Sequence, residues 1–276
     1  MYRYELGIVD TRNIIKTLKE DFNYDFKNYA LTFFKRRVEN IIRLYNLKDT
    51  EGFLRKLKSD REFIEIFLKE ICIESTEMFR DPSMWRVLRE ELLPKLLANT
   101  SSFKIWFPEV SSGEELFSLN ILLKQLHFLD KVRIIASSIS TKKIADIKKG
   151  KFLARKVEVN DANYKRIFSQ GELSDYYKVD GDFGYWDADL VKDVEFKVDK
   201  ISFDDYPKGV KFIIFRNHMI YFNQILQERC MKMLNNSMVP GGHLIIGNNE
   251  KIDYWNSDKD YVLVNAGESI YKKKLT

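Results

Sequence analysis

The chain has 276 residues, of which 45% are hydrophobic and 32% are charged, and its formal net charge is +5. This composition predicts a folded globular protein with a substantial core and excludes a disordered or fibrous chain. The modest charge is no nucleic-acid signature. No uncharged apolar run approaches the roughly 18 residues that span a bilayer, and the first residues lack a secretory pattern. We therefore expect no membrane insertion and a cytoplasmic location.

The two cysteines and three histidines do not form a recognisable ligand pattern. Cys72 and Cys230 lie far apart in the sequence, which favours free, buried thiols in a reducing compartment. His127, His218 and His243 are not spaced as metal ligands, so no metal site is expected.

Residues 1–75 repeat apolar side chains at helical spacing and predict an all-helical N-terminal domain. The run Lys35-Arg36-Arg37 lies on the polar side of the second predicted helix. A solvated helix face is the simpler interpretation of this run, and a patch that docks an acidic partner is the alternative.

Residues 76–276 alternate between strand-like and helix-like segments, which predicts an α/β fold with a doubly wound, Rossmann-like parallel sheet. Residues from about 150 to 195 are polar and interrupt this alternation, so we expect a small inserted β-subdomain there. Two short segments near the end of the chain predict an antiparallel hairpin at one edge of the sheet. The strand-like segments are 103–107, 132–137, 210–215, 243–246, 261–264 and 269–271, and the helical ones are 114–126, 141–149 and 223–236.

The turn after the first predicted strand is the default position for a ligand. Open α/β sheets bind ligands at the carboxyl ends of their strands, near the point where strand order reverses. The turn at residues 108–115 contains Ser111-Ser112-Gly113 but neither Gly-x-Gly-x-x-Gly nor a phosphate loop. Taken alone, it fits either a ligand-binding loop or a plain turn that begins a helix.

Three stretches, in this order, resemble the chemotaxis receptor (CheR-type) methyltransferases. They are Thr76-Glu-Met-Phe-Arg-Asp-Pro82, Ser111-Ser-Gly-Glu-Glu-Leu-Phe-Ser-Leu119 and Phe215-Arg-Asn-His-Met-Ile-Tyr-Phe-Asn223. The corresponding family patterns are Thr-x-Phe-Phe-Arg, Ser-Thr-Gly-Glu-Glu and Arg-Asn-x-x-Ile-Tyr-Phe. The resemblance covers nearly the whole chain, including the helical N-terminal domain and the insertion.

The resemblance implies transfer of a methyl group from S-adenosylmethionine to a glutamate carboxylate of a chemoreceptor or another signalling protein. A carboxylate is already a nucleophile at neutral pH, so such an enzyme mainly has to align the reactants and exclude water. By the same resemblance, Arg80 and Tyr221 line the catalytic centre. The residues that it places at the cofactor are Thr76, Gly113, Glu115, Ser138, Lys200, Arg216 and Asn217. Each has a plain structural alternative, such as an ion pair for an arginine, a core position for Tyr221 or a helix cap for Thr76.

Four positions depart from the family pattern. Glu109 replaces a small residue and adds negative charge where the methionine carboxylate of the cofactor is expected. Ser138 replaces the aspartate that binds the ribose, while Lys200 and Glu74 replace asparagines. Losing one hydrogen bond to a charged group weakens binding about ten- to a hundred-fold. A Lys200–Glu109 ion pair across the pocket would compensate.

These departures leave two main functional hypotheses. The first is a working protein-glutamate methyltransferase with a rearranged cofactor pocket. The second is a catalytically impaired relative that binds the cofactor poorly and acts as a protein-binding or regulatory module. The hypothesis of a nucleic-acid methyltransferase is supported only by the mild positive charge, because the Asn/Asp-Pro-Pro-Tyr type of sequence is absent. The identity of the partner and the oligomeric state do not follow from the sequence.

Overall fold

The structure is a computed structural model of the chain, and it describes residues 4–72, 76–98, 102–199, 203–252 and 260–275. The first of these ranges folds into four helices that pack their apolar stripes against one another around a common core. The helices are α1 (Ile8–Phe22), α2 (Leu31–Leu44), α3 (Thr50–Ser59) and α4 (Arg61–Ile71).

Polar side chains at the ends of these helices define where they begin and stop. Asp49 accepts a hydrogen bond from the backbone N–H of Gly52 at the start of α3, and Asp60 accepts from Glu62 at the start of α4. Both satisfy N–H groups that lack a partner within the helix. At the other end of α4, Arg37 donates to the carbonyl oxygen of Cys72.

The basic run on α2 serves largely as a set of contacts within the helical domain. Lys35 pairs with Glu5 across 3.1 Å, and Arg37 binds carbonyl oxygens at the end of α4. Arg36 is exposed to solvent. Only Arg36 therefore fits a solvated helix face, because Lys35 and Arg37 make their contacts within the helical domain.

The second part of the chain opens with a helix and continues with alternating strands and helices. Its helices are α5 (Pro82–Val87), which continues through a π-helical turn (Leu88–Leu92) into α6 (Leu93–Ala98), then α7 (Glu114–Gln125), α8 (Thr141–Lys148), α9 (Val157–Lys165) and α10 (Gln224–Ser237). The strands of the main sheet are β1 (Phe103–Phe107), β2 (Val132–Ser138), β6 (Glu195–Val198), β7 (Val210–Phe215), β8 (Met238–Ile246), β9 (Tyr261–Asn265) and β10 (Ile270–Lys273).

Seven strands form one sheet in the order β6-β2-β1-β7-β8-β10-β9. The first five are parallel, and the last two form an antiparallel hairpin at the edge. Because β2 and β6 lie on one side of β1 while β7 and β8 lie on the other, strand order reverses between β1 and β7. The prediction of a doubly wound α/β sheet preceded by a helical domain is confirmed.

Three further strands form a separate antiparallel sheet in the order β3-β5-β4. They are β3 (Lys151–Leu153), β4 (Tyr177–Asp180) and β5 (Phe183–Trp186). The ring of Phe152 stacks on Trp186 with 4.4 Å between centroids. The Phe152 ring also lies over Gly184, where an added Cβ atom would be only 2.1 Å from that ring. A glycine is therefore required for this packing.

The helical domain contacts both a helix and a loop of the α/β part of the chain. Lys69 of α4 pairs with Asp146 of α8 across 2.6 Å. Near the end of β7, the N–H of Ala30 donates to the carbonyl of Tyr221 at 2.8 Å, and the N–H of Asn223 donates to Asn28 at 2.9 Å. These two backbone bonds join residues 28–30 to residues 221–223, so the helical domain covers the carboxyl edge of the sheet next to β7.

Within the described ranges, no helix is both long and apolar enough to cross a membrane. The same ranges contain no group of three or more histidine, cysteine or acidic side chains arranged to hold a metal ion.

Candidate functional site

A cavity lies between the helical domain and the carboxyl ends of the strands. The sheet contributes residues that follow β1, β2, β6 and β7, and the helical domain contributes mainly aromatic side chains. The cavity therefore spans the β1/β7 position where strand order reverses, which is where open α/β sheets bind ligands. The residues that line it are Phe26, Tyr29, Phe33, Ile71, Cys72, Pro108, Glu109, Ile139, Asp199, Phe203, Phe215, His218, Phe222 and Met233.

Glu109 is an acidic residue in the lining of this mostly apolar cavity. Its Oε1 accepts hydrogen bonds from the Ser138 hydroxyl at 3.0 Å and from the backbone N–H of Ser111 at 3.3 Å. Burial raises the pKa of Glu109 to about 7, although Lys143 and the Ser138 hydroxyl act to lower it. The carboxyl group therefore titrates near neutral pH.

The cation that acts on Glu109 among the described residues is Lys143, a buried residue of α8. The sequence had suggested Lys200 for this role, but Lys200 lies outside the described residues. The signal for Lys143 is weak in the sequence, because a lysine in the first turn of a short helix is ordinarily a solvated surface residue.

His218 is buried on the β7 side of the cavity. Its ring stacks on Phe215 with 4.9 Å between centroids, and its Nε2 lies 3.3 Å from the Ser111 hydroxyl. Burial lowers the pKa of His218 to about 3, and Lys143 adds to this effect. The imidazole is neutral at physiological pH, so it serves as a packing and hydrogen-bonding group that joins the β1 and β7 loops.

Arg216 forms a buried ion-pair cluster beside the cavity. Its side chain is 1% exposed. Its Nη1 lies 2.6 Å from Glu115 Oε1, and its Nη2 donates to Asp81. Burial disfavours the charge on Arg216, but the two carboxylates outweigh it and raise the pKa of the guanidinium above its ordinary value. The cluster links the end of β7 to the start of α7 and to the turn that carries Arg80.

Residues 79–81 form a tight turn with unusual backbone angles. Phe79 and Asp81 have φ angles of 53° and 55°, a region that bulky residues rarely adopt. The turn is held by its surroundings: the N–H of Phe79 donates to Ser118 Oγ at 2.8 Å, and Trp85 Nε1 donates to the carbonyl of Arg80 at 2.9 Å. Backbone strain of this kind is found preferentially at functional sites.

Thr76 and Gly113 lie near this cluster and make structural contacts. The Thr76 hydroxyl donates to Glu114 Oε2 at 2.7 Å, and Lys156 pairs with the other oxygen of Glu114 at 2.7 Å. Gly113 begins α7 with a φ angle of 97°, and a Cβ atom there would lie 3.0 Å from Ile147. The strand-to-helix turn thus requires glycine at this position.

Asn217 adopts a left-handed conformation with a φ angle of 62°. Its loop is clamped by Glu250, a buried residue that the sequence did not single out. Glu250 accepts backbone hydrogen bonds from Asn217 at 2.9 Å, Met219 at 2.6 Å and Gly247 at 2.7 Å. One carboxylate therefore fixes the loops that follow β7 and β8.

Tyr221 is half-buried against the helical domain. Its ring lies 4.2 Å from that of Phe33 of α2, and its backbone belongs to the pairing with residues 28–30. This position places the side chain at the junction of the two parts of the chain.

The structure brings the predicted residues into two neighbouring groups. Arg216 and Glu115 are in direct contact beside the Arg80 turn, whereas Ser138 touches the cavity through Glu109. Asn217 adjoins the cavity residue His218, and Thr76 points to Glu114 instead. The sequence overlooked Asp199, Lys143 and Glu250, since none of them belongs to a recognisable motif.

Comparison with known families accounts for both parts of the chain. Residues 10–72 match the model of the CheR methyltransferase all-alpha domain, and residues 74–267 match that of the CheR methyltransferase SAM-binding domain. The prediction of this family and of S-adenosylmethionine as its cofactor is confirmed by these matches.

Individual relatives cover almost the full length of the chain. A Pseudomonas putida protein designated Cher3 is 27% identical over 246 residues, which is 89% of this chain and 90% of that protein. The chemotaxis protein methyltransferase of Listeria innocua is 26% identical, with 94% and 95% covered. That of Borreliella burgdorferi is 26% identical, with 98% of each chain covered. With both domain models matched in chain order, the protein belongs to the CheR methyltransferase family.

Proposed function

We propose that the protein binds S-adenosylmethionine at the carboxyl edge of its sheet and transfers the methyl group to a glutamate side chain of a chemoreceptor-like signalling protein. The observation that carries this proposal is the cavity at the reversal of strand order, in a chain of the CheR methyltransferase family. The relatives named chemotaxis protein methyltransferases support a receptor as the acceptor.

The chemistry of the cavity fits this cofactor. The aromatic rings of Phe33, Phe215 and Phe222 suit an adenine ring and a sulfonium cation. The carboxyl groups of Glu109 and Asp199 suit ribose hydroxyls and positive charge. In this proposal Ser138 and Asn217 act at the cavity edge, while Thr76, Gly113, Glu115 and Arg216 shape the adjoining wall. Lys200 stays in the proposed cofactor-binding set on the sequence resemblance alone.

Little proton transfer is required of the protein. When bound, S-adenosylmethionine supplies a methyl group on a positively charged sulfur, which an ionised carboxylate accepts without acid or base assistance. The chain has to hold the acceptor carboxylate and exclude water. Arg80 sits on the strained turn at the ion-pair cluster, and its guanidinium would bind the acceptor through charge-assisted hydrogen bonds. Tyr221 would line the catalytic centre together with Arg80.

The test is methyl transfer to the cytoplasmic fragment of a chemoreceptor, measured as base-labile methanol release from methyl-labelled S-adenosylmethionine. We expect the wild-type chain to form methyl esters. Arg80→Ala should lower kcat/KM for the acceptor about ten- to a hundred-fold, because a hydrogen bond to a charged group is lost. Arg86→Ala, which removes an exposed arginine from the neighbouring helix, is the matched control and should leave the rate unchanged.

Calorimetric titration with S-adenosylmethionine separates binding from transfer. Binding without any methyl ester on the receptor fragment would contradict the transfer. The absence of binding at millimolar cofactor would contradict the cofactor site itself.

A further inference from the structure

Ser138 is the last residue of β2, a position that often contacts the cofactor in open α/β sheets. When such a sheet binds a nucleotide cofactor, an acidic side chain after the second strand commonly accepts hydrogen bonds from the ribose hydroxyls. Here β2 ends in a hydroxyl instead. Ser138 is fully buried, and its hydroxyl proton is already donated to Glu109 Oε1 at 3.0 Å.

The adjacency of β1 and β2 in the sheet explains why Glu109 reaches this position. β1 and β2 are parallel neighbours, and Phe107 pairs with Ala136. Glu109 and Ser138 each follow that pair by two residues, and the two adjacent segments bring their side chains into contact. After Pro108 the pairing shifts by one residue, since the N–H of Val110 donates to the carbonyl of Ser137 at 2.9 Å.

Glu109 is also one of the residues that line the cavity. Ser111 and Ser138 both donate to its Oε1, and the backbone N–H of Ile139 also hydrogen-bonds the carboxyl group. A carboxylate offers about four acceptor sites, so it retains the capacity to accept further donors. Ribose hydroxyls are donors of the required kind.

We infer that Glu109 supplies, from the β1 side, the carboxylate that binds the ribose of the cofactor, and that Ser138 is the positioning residue that holds it. This inference rests on the proposed function. The two departures from the family pattern at residues 109 and 138 are then a single exchange, in which the acid has moved from one strand end to its neighbour.

The test compares the binding of S-adenosylhomocysteine with that of its 2′-deoxy analogue at pH 8, by calorimetric titration. The wild-type chain should prefer the ribose form about ten- to a hundred-fold, as expected for hydrogen bonding to a charged group. Glu109→Gln should lower the affinity for S-adenosylhomocysteine and reduce this preference to about threefold or less, since an uncharged amide binds hydroxyls more weakly. Glu195→Gln changes a glutamate on β6 whose ion pair with Arg133 is largely exposed, and it should retain the wild-type preference.

A second pair of variants tests whether the ribose-binding acid has moved from the end of β2 to the end of β1. The double variant Glu109→Gly with Ser138→Asp returns the acid to β2 and should recover a preference of at least tenfold, whereas Glu109→Gly alone should not.

Tighter binding of S-adenosylhomocysteine by Glu109→Ala than by the wild-type chain would overturn the inference, because Glu109 would then obstruct the site. An unchanged preference in Glu109→Gln would overturn it as well. If no variant binds the nucleoside, both the inference and the proposed cofactor site fail, whereas binding without methyl transfer contradicts only the proposed activity.

Discussion

At the scale of single residues, burial sets the pKa values of the titratable side chains that line the cavity. The pKa of Glu109 lies at about 7, far above the ordinary range of a carboxylic acid. The folded protein therefore binds more protons than the unfolded chain between about pH 4.5 and 7. By linkage, the stability that Glu109 contributes is present below this window and is lost as the pH rises through it.

We predict that Glu109→Gln gains stability relative to the wild-type chain when the pH is raised from 5 to 8. The expected gain is about 2 to 3 kcal/mol, because the amide cannot lose a proton in the half-buried site. His218, whose pKa is lowered to about 3, shifts the stability of both proteins in the opposite sense and so cancels in the difference. Chemical denaturation at the two pH values measures the effect, and a difference that does not change with pH would contradict the prediction.

The charge of Arg216 is stabilised by its two carboxylate partners more than it is destabilised by burial. We predict that Arg216→Met lowers the free energy of unfolding by about 3 to 5 kcal/mol, because it leaves Glu115 unpaired in a buried position. The matched control is Arg133→Met, which breaks the largely exposed pair with Glu195 and should cost less than about 1 kcal/mol. Equal losses in the two variants, measured by urea denaturation, would show that the Arg216 cluster is effectively solvated.

At the scale of the elements, the loops at the carboxyl edge are held by side chains from other parts of the chain. Positive φ angles occur at Phe79, Asp81, Ser111 and Asn217, all in segments next to the ends of β1 and β7. Such conformations persist only where the surrounding contacts determine them. Glu250 holds the β7 loop, since it accepts backbone hydrogen bonds from Asn217 and Met219, and it accepts a third from Gly247 after β8.

We predict that Glu250→Gln destabilises the protein by about 1.5 to 3 kcal/mol, because the buried amide replaces charged acceptors with a weaker acceptor and an unmatched donor. Amide hydrogen exchange of Asn217, Met219 and Gly247 should accelerate selectively. Glu228→Gln, at an exposed position of α10, should change neither quantity. Unchanged protection of these three amides in Glu250→Gln would argue against the clamp.

At the scale of the whole molecule, the helical domain is joined to the sheet by two unlike contacts. One consists of partly exposed ion pairs between α4 and α8, such as Lys69–Asp146 and Lys142–Glu62. The other consists of aromatic packing around Phe222, whose ring lies 5.1 Å from that of Tyr29. Exposed ion pairs contribute little, whereas aromatic burial contributes several kcal/mol.

We predict that Phe222→Ala loosens the contact between the domains and lowers the free energy of unfolding by about 2 to 4 kcal/mol. The double variant Glu62→Gln with Asp146→Asn should cost less than about 1 kcal/mol. Denaturation and hydrogen exchange of residues 26–33 report the two effects. A larger loss in the double variant than in Phe222→Ala would mean that charge, and not packing, holds the domains together.

The sequence by itself determined the elements and the family. The apolar run Phe103–Phe107, the helix that follows Gly113 and the hairpin near the C-terminal end all lie close to their predicted positions, because local periodicity reflects burial. The three motifs were sufficient to indicate the CheR methyltransferases, and the matches to both domain models agree with them.

Only the tertiary structure decided which side chains meet. Arg216 pairs with Asp81 across 135 positions of sequence, and Glu109 meets Ser138 across 29. Neither contact follows from periodicity, since it depends on the order and register of the strands. The carboxyl group of Glu109, which the sequence suggested would lie at the methionine end of the cofactor, is held at the end of β2 by the Ser138 hydroxyl, because β1 and β2 are neighbours in the sheet.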